Sequence, residues 1–465
     1  MKIIFILPDV DSFHKLGIHF GIAYISSYLK KNGYKNIKFL SVTSVNDYSN
    51  IVKQISKFEP DIVGFSSVET QFGNVIALSE LIKKSCNCII VCGGAFPTLC
   101  PKSVKDAPYL DGIFRGESEG AFLELVKAVE EGRNYRNIDN FCYYDKDNDR
   151  VVTNKLMPLE TDLDKFGFAD RDIFDFQSLI DSWNGAALFV FNRGCPYNCS
   201  FCSNHALAEV YGRTSNLIRR RSVESCIAEI KDMMSKYRFD VIYIVDDLFV
   251  ANRKWLYAFL DVYKKEVNKP FMCTVRSNIC DDELMRRLKA AGCFKVHMSV
   301  ESGNDFIRNE VLNRNISRAK MMESYKIAKK YKIKVNASAV IGLPYETEDM
   351  IKETIAFLGS LKIASPAVNI FYPYIGTRLR DLCIKEGVLN LSKNYSARER
   401  RESVLDLPQI SRERIQYYSD NFEGLVRRKE GFFSYAKYRT REIVRMVMPV
   451  FLKKIVKRIL RKYLR

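Results

Sequence analysis

Arg193-Gly194-Cys195-Pro196-Tyr197-Asn198-Cys199-Ser200-Phe201-Cys202 is the stretch from which the rest of this chain is read. Its three cysteines stand at C-x3-C-x2-C spacing, directly after the apolar run Ala-Ala-Leu-Phe-Val-Phe at 186–191. An apolar strand that ends in a short loop of three thiols is a metal-site pattern. Thiolates are soft ligands, so they select zinc or an iron–sulfur cluster. Structural zinc takes four protein ligands, and His205 is the candidate for the fourth. A [4Fe–4S] cluster on three cysteines instead keeps one iron open for a substrate or cofactor. The triplet alone leaves both centres open.

Downstream, strand and helix alternate. Apolar runs predict strands at 186–191, 241–245, 271–275, 295–300, 334–341 and 367–372, with helices at 222–237, 281–291, 317–331 and 347–361 among the crossovers. After the cysteine loop the strand ends carry Asp246-Asp247, Arg276-Ser277-Asn278, Glu301-Ser302-Gly303, Gly342-Leu343-Pro344 and Pro373. Charged and glycine turns gathered at the carboxyl ends of successive strands are the plan of a barrel enzyme's active site.

Upstream the same alternation predicts an α/β fold with a doubly wound parallel sheet. Its strands are expected at 2–7, 38–42, 61–65, 88–92 and 112–114, and its first helix at 20–31, stopped by Asn32-Gly33. Ligands of such sheets lie at the strands' carboxyl ends, where Ser66-Ser67, Gly93-Gly94 and Arg115-Gly116-Glu117 stand. Residues 141–185 show no clean period and read as a short hairpin and a linker. The expected division is 1–140, linker 141–185, barrel 186–390 and a helical extension 391–465.

Hydrophobic content of 47% and aromatic content of 12% exclude a disordered chain. The start of the sequence lacks a secretory leader's apolar run, and no segment approaches the ~20 apolar residues of a membrane span. Thirteen cysteines are therefore expected as thiols in the cytoplasm. The net charge of +18 is concentrated at the end, where residues 436–465 hold eleven Lys and Arg against one Glu. In 450–465, Leu452, Ile455, Val456, Ile459 and Leu460 line one helical face, and Lys453, Lys454, Lys457, Arg458 and Arg461 the other. Such a helix is expected at an anionic membrane surface, on the inner face of the membrane, or docked on the barrel with a solvated basic face. No aromatic stacking pattern accompanies the charge, so nucleic acid is not an expected partner.

The cysteine loop, its strand and the Phe201 before its last cysteine resemble the radical S-adenosylmethionine (SAM) enzymes. The resemblance implies that Cys195, Cys199 and Cys202 hold a [4Fe–4S] cluster whose open iron chelates SAM, which is cleaved reductively to a 5′-deoxyadenosyl radical. Asp246-Asp247-Leu248-Phe249 falls where the family has an acidic motif for the SAM amino group, and Glu301-Ser302-Gly303 where a strand end meets the ribose. Gly342-Leu343-Pro344-Tyr345-Glu346-Thr347 resembles a G-x-P-G-E-T element near the adenine, with Tyr345 in place of Gly. Pro373-Tyr374-Ile375-Gly376-Thr377 resembles a P-G-T turn with two residues inserted. The implied SAM residues are Phe201, Asp246, Asp247, Arg276, Glu301 and Gly342.

The first half resembles the cobalamin-binding domains of one branch of that superfamily, that of magnesium-protoporphyrin monomethyl ester cyclase. Gly17-Ile18-His19-Phe20-Gly21-Ile22-Ala23-Tyr24, Pro60-Asp61-Ile62-Val63-Gly64-Phe65-Ser66-Ser67, Gly93-Gly94 and Arg115-Gly116-Glu117 carry it. Gly21, Ser66, Ser67, Gly93, Gly94, Gly116 and Glu117 are the implied cobalamin contacts. Where D-x-H-x-x-G would supply a cobalt-ligating His, alignment on Gly21 puts Leu16 and Ile18, so cobalamin is expected without a histidine ligand. The implied activity is methylation of an unactivated carbon of a small-molecule or lipid-linked substrate, with flavodoxin or ferredoxin as electron donor. Radical cyclisation or rearrangement beside an empty cobalamin domain is the alternative. A tRNA methylthiotransferase ranks lower, because Cys86, Cys88, Cys92 and Cys100 lack that family's second-cluster spacing. A zinc- or cobalamin-sensing module would need an effector domain that the sequence does not display.

Overall fold

The computed structural model describes residues 1–10, 12, 17–212, 217–390 and 399–447, the last three of these as backbone only. Its first sheet is built around β1 (Ile3–Pro8), whose Ile3, Ile4, Phe5 and Ile6 are all buried because helices cover both faces. The parallel order is β2 (Ile37–Val42), β1, β3 (Ile62–Ser66), β4 (Ile89–Gly93), β5 (Gly112–Phe114). Strand order reverses beside β1, so the crevice at the carboxyl ends of β1 and β3 is the topological switch point where such sheets take ligands. The antiparallel β6 (Phe141–Asp145) and β7 (Arg150–Thr153) pair onto β5 and complete a seven-stranded sheet. The expected hairpin thus extends the first sheet rather than opening the linker.

The second sheet holds β8 (Ala186–Phe189), β11 (Val241–Ile244), β12 (Phe271–Thr274), β13 (Cys293–His297), β14 (Lys334–Ile341) and β15 (Ser365–Ile370). They lie in chain order and all parallel, forming an open half-barrel with β8 and β15 at its edges. A short antiparallel ribbon, β9 (Asn192–Arg193) with β10 (Arg219–Arg220), stands between the half-barrel and the first sheet.

One apolar core runs from Phe5 and Phe114 of the first sheet and Phe122 of the helix Glu119–Glu130 through Phe174 and Phe176 to Phe189 and Phe191 of the half-barrel. The connecting segment is therefore packed between the two units. Asp170 accepts from Ser26 Oγ at 2.6 Å and pairs with Lys30 at 2.7 Å. Arg171 and Arg221, both fully buried, share the carboxylate of Glu229. Removing one partner of such a triad would strand an uncompensated charge, so the triad fixes how the segment seats on the half-barrel.

Helix Arg412–Glu430, N-capped by Ser411, packs on helix Glu348–Leu361 and on β15. Gly359 is required at that crossing, since a Cβ there would stand 2.6 Å from Lys429 Cβ. Helix Phe432–Val447 follows and opens on Phe432 and Phe433, 79% and 87% exposed. The basic amphipathic stretch 450–465 lies outside the described residues. Among those described, no helix is long and apolar enough to cross a membrane.

Candidate active site

The cysteine loop leaves the end of β8 and runs into helix Ser203–Val210, which begins after Cys202. Cys199 is buried, and Cys195 and Cys202 are half-buried. Burial raises the Cys195 thiol and pushes that of Cys202 up to about 12, so thiolates here need positive partners. Two arginines supply them. Arg276 Nη1 lies 3.4 Å from Cys199 Sγ and Arg314 Nη1 4.0 Å from the same sulfur. Arg276 is held over the Tyr197 ring at 3.7 Å and donates to the Arg314 carbonyl. Arg276, expected at SAM, is directed at the Cys199 sulfur.

His205 does not complete a zinc site. Its Nε2 accepts from Arg378 N at 3.4 Å and its Nδ1 faces Glu209 at 3.6 Å. Among the described residues no three His, Cys, Asp or Glu side chains close around a single ion. Ligands of one zinc lie within about twice the ~2.3 Å Zn–S bond of one another, whereas three corners of a cubane cluster stand farther apart, each on its own iron. The donor set therefore suits the cluster.

At the end of β11 two carboxylates divide their work. Asp246 is buried and its Oδ1 accepts from Phe191 N at 2.7 Å, tying β11 to the strand that delivers the cysteines. Burial pushes it up to about 7, and its Oδ2 has no partner. Asp247 is exposed and close enough to Cys195 and Cys202 to raise both thiols. Beyond β13, Glu301 is buried with φ +62°, a left-handed conformation rare outside glycine, and it pairs with Arg314 at 3.5 Å. Arg314 thereby links Glu301 to Cys199. Phe201 is half-buried and packs on the core.

The turn after β14 takes a glycine-like path. Tyr345 adopts φ +63°, so it follows the backbone of the glycine it replaces. Glu346 Oε2 accepts from Gly342 N at 2.7 Å, and burial pushes this carboxyl up to about 8. Gly342, at φ +75°, has Ile415 of the C-terminal helix 3.2 Å from where a Cβ would stand. Its freedom serves the turn and the helix packing above it.

A cavity of about 450 Å³ joins this loop to the mouth of the first sheet. Gly21, Ser66, Gly93, Gly94, Gly116 and Glu117 line one side, and Asn192, Arg193, Cys195, Asp246 and Asp247 the other. Ser67 does not line it. Its amide donates to Gly93 O and its hydroxyl to Val68 O, inside the turn. Gly94 has φ +106°, and a Cβ there would meet Ser67 O at 2.6 Å. Cys199, Cys202, Phe201, Arg276, Glu301 and Gly342 do not line the cavity either, so the structure brings together the cobalamin-side residues with one cysteine and the acidic pair.

Glu117 turns out to be a clamp. Its carboxylate takes Arg219 at 2.5 and 2.8 Å and Arg193 at 3.0 Å, while Arg193 also reaches Glu119 at 2.6 Å. Tyr211, from the loop after the cysteine helix, accepts from Glu117 N at 2.8 Å and fills the space a side chain at Gly116 would need. His19 was not singled out by the sequence. Its Nδ1 caps helix Phe20–Lys31 by accepting from Ile22 N at 3.1 Å, and its Nε2 faces Ser66 Oγ at 3.1 Å. Burial holds it down to about 4, so it is neutral. Its signals were its place before a helical run and within the stretch 17–24 that carries the resemblance. Asn192, 5% exposed, has both side-chain polar atoms without partners at the cavity wall. These orphaned groups beside apolar Phe5, Phe20 and Ile22 suit a cofactor that is an apolar ring fringed with amides.

A radical SAM superfamily model matches residues 189–358 and a B12 binding domain model matches residues 7–126. The chain is a radical SAM enzyme with a B12-binding domain. Those two domains bring a [4Fe–4S] cluster with SAM and cobalamin. The enzyme is 28% identical over 424 residues to an uncharacterized methyltransferase of Pyrococcus horikoshii, covering 89% of this chain and 90% of that one. It is 26% identical over 372 residues to the anaerobic magnesium-protoporphyrin IX monomethyl ester cyclase of Rubrivivax gelatinosus, covering 76% and 65%. The cobalamin-dependent SAM radical enzyme OxsB, with aqua-cobalamin and SAM bound, superposes with a TM-score of 0.72 at 16% identity, over 100% of this chain and 75% of its own. The expected fold class, a parallel α/β sheet followed by a radical SAM half-barrel and a helical extension, is borne out.

Proposed function

We propose that this radical SAM enzyme methylates an unactivated carbon of a small-molecule or lipid-linked substrate. The observation that carries the reading is the single cavity shared by the switch-point residues of the first sheet and by Cys195 and Asp247. A relative named as a methyltransferase at nearly full length supports it. When bound, the cofactors supply the radical and the methyl group.

The chain's own residues then have distinct tasks. Cys195, Cys199 and Cys202 would hold the cluster, with Arg276 and Arg314 offsetting thiolate charge. Asp247 would take the SAM ammonium, as a charge-assisted pair. Glu301, steadied by Arg314, would face ribose hydroxyls, and the Gly342–Glu346 turn would pass close to the flat base. Asn192 would orient a polar fringe group in the cavity. Switch-point turns at Ser66, Gly93 and Gly94 would hold cobalamin through backbone and shape. An external one-electron donor completes the reaction.

The test is anaerobic incubation of enzyme reconstituted with iron, sulfide and cobalamin, with SAM and a reductant. Both 5′-deoxyadenosine and S-adenosylhomocysteine are expected. 5′-Deoxyadenosine without S-adenosylhomocysteine would favour radical cyclisation, the reading supported by the cyclase relative, and absence of both would overturn the proposal.

The protein would sit at an anionic membrane face through residues 450–465. The support for this is the basic amphipathic sequence, with Phe432 and Phe433 exposed on the preceding helix. Full-length protein should co-sediment with anionic vesicles and a chain ended after residue 447 should not. Equal sedimentation of the two would end that part of the reading.

A further inference from the structure

The concave face of the half-barrel carries polar groups that the cofactor site leaves unused. Side chains alternate along a strand, and the register sets His297 of β13 beside Thr274 of β12 and Asn336 of β14. Lys295 lies one row below, beside Lys334, and Ser299 one row above, beside Ser338. The opposite row, Val296, Met298 and Val300, is fully buried towards the covering helices, so the polar row faces inward.

Three of these groups are bonded together. His297 Nε2 lies 3.1 Å from Ser299 Oγ and 3.2 Å from Ser338 Oγ, and the two hydroxyls are 2.9 Å apart. Beside them, one acceptor and one amine lack a polar partner. Asn336 Oδ1 is buried without a hydrogen-bond partner. Lys295 is half-buried, and no ion pair involves it among the described residues. It stands in register with a second lysine, and like charges directly opposite on neighbouring strands repel. Burial and Lys334 together hold its amine below the usual lysine range. Across the same row β12, β11 and β8 present Met272, Tyr243 and Leu188, an apolar wall.

A half-buried amine with no acid beside it, an exposed second cation in register and a hydrogen-bonding ladder above them form a surface that suits an anion. We propose that this face binds the substrate and that the substrate is an elongated oxyanion, a phosphate or carboxylate held by Lys295 and Lys334. Its hydroxyl or carbonyl groups meet His297, Ser338 and Asn336, and its hydrocarbon lies against the apolar wall. Glu301, at the cluster end, is six residues beyond Lys295. At about 3.3 Å per residue the anion therefore sits roughly 20 Å from the place of reaction. This inference rests on the radical SAM reading, which makes the cluster end the reacting end.

The test is calorimetric titration of the reconstituted enzyme with SAM present, in low-salt buffer free of both anions, using inorganic phosphate and acetate separately. One saturable site is expected for at least one of them, and which one binds names the group. Lys295→Met and Lys334→Met should each weaken it at least tenfold. Lys334 is exposed, so its variant tests the site without disturbing the fold. Lys289→Met, on the outer helix Asp282–Ala290, should leave binding unchanged. No saturable binding, or unchanged binding in both variants, would overturn the proposal. 5′-Deoxyadenosine formation in the same preparations separates the two readings. If it persists while anion binding fails, only the substrate inference falls; if it fails while anion binding holds, the anion site stands and the radical reading falls.

Discussion

Two strand mouths face one another across the cavity, and they are built on opposite plans. At the mouth of the first sheet the polar groups close on each other or on the partner unit. His19 bridges a helix amide and Ser66, Thr98 Oγ1 takes Gly116 N at 2.9 Å and donates to Gly94 O at 2.7 Å, and Glu117 sits between two arginines. At the mouth of the half-barrel, groups are left reaching. Arg276 and Arg314 point at a sulfur, and Asp246 Oδ2 and both ends of the Asn192 amide have no partner. The first plan grips a large ligand by backbone and shape. The second stores polar cost that bound ligands offset. Losing a cofactor should therefore disturb the half-barrel mouth more than the switch point.

The largest effect should come from Cys199→Ala. Iron and the visible cluster absorbance should fall to background while bound cobalamin is kept; loss of cobalt as well would show that the two mouths are not independent. Next is Glu117→Gln, which leaves Arg193 and Arg219 short of a full charge. Its side chain is 27% exposed, so the cost should be about 2 kcal/mol, below that of a fully buried pair. Urea unfolding checks this, with cluster absorbance unchanged in the folded protein. Gly94→Ala forces a Cβ into a glycine-only conformation and should cost about 1–3 kcal/mol and weaken cobalamin retention. Tyr345→Gly relieves a left-handed residue and should raise stability by about 1 kcal/mol, confined to the half-barrel.

The smallest effect is a change of slope with pH. Burial pushes the folded Glu346 carboxyl up to about 8, above the ordinary value of 4.5. Its contribution to stability is fully present below the unfolded value and is lost as pH rises through about 8. Glu346→Gln should flatten the fall of Tm between about pH 4.5 and 8. His19 carries the opposite sign. Held down to about 4 from 6.5, it favours the fold above pH 6.5 and that contribution is lost as pH falls towards 4.

Apolar runs such as 3–6 and 241–245 were enough to read both parallel sheets, because strands covered on two faces are continuous in hydrophobicity. The short, polar β6 and β7 were not assignable to a sheet from their own residues, since the edge of β5 decides where they pair. The cysteine spacing and the acid at 247 were legible for a similar local reason. Arg314 was not: it meets Cys199 across 115 residues, and nothing in its neighbourhood signals that contact. Asn192 and Tyr211 were hidden likewise, their importance arising only where the two units meet. Of the adjacent Ser66 and Ser67, composition could not say which faces the cavity; the turn into Gly93 settles it. Tyr345 stands where the resembling element has Gly, and only its positive φ shows that the backbone keeps a glycine-like path.

Both cofactors are expected in one chain, on either side of one cavity. Anaerobic reconstitution with iron, sulfide and hydroxocobalamin, followed by metal analysis, decides it. The expected result is about four iron and about one cobalt per chain, with cobalt but no iron in Cys199→Ala. One zinc per chain without iron, or iron with no retained cobalt, would contradict it.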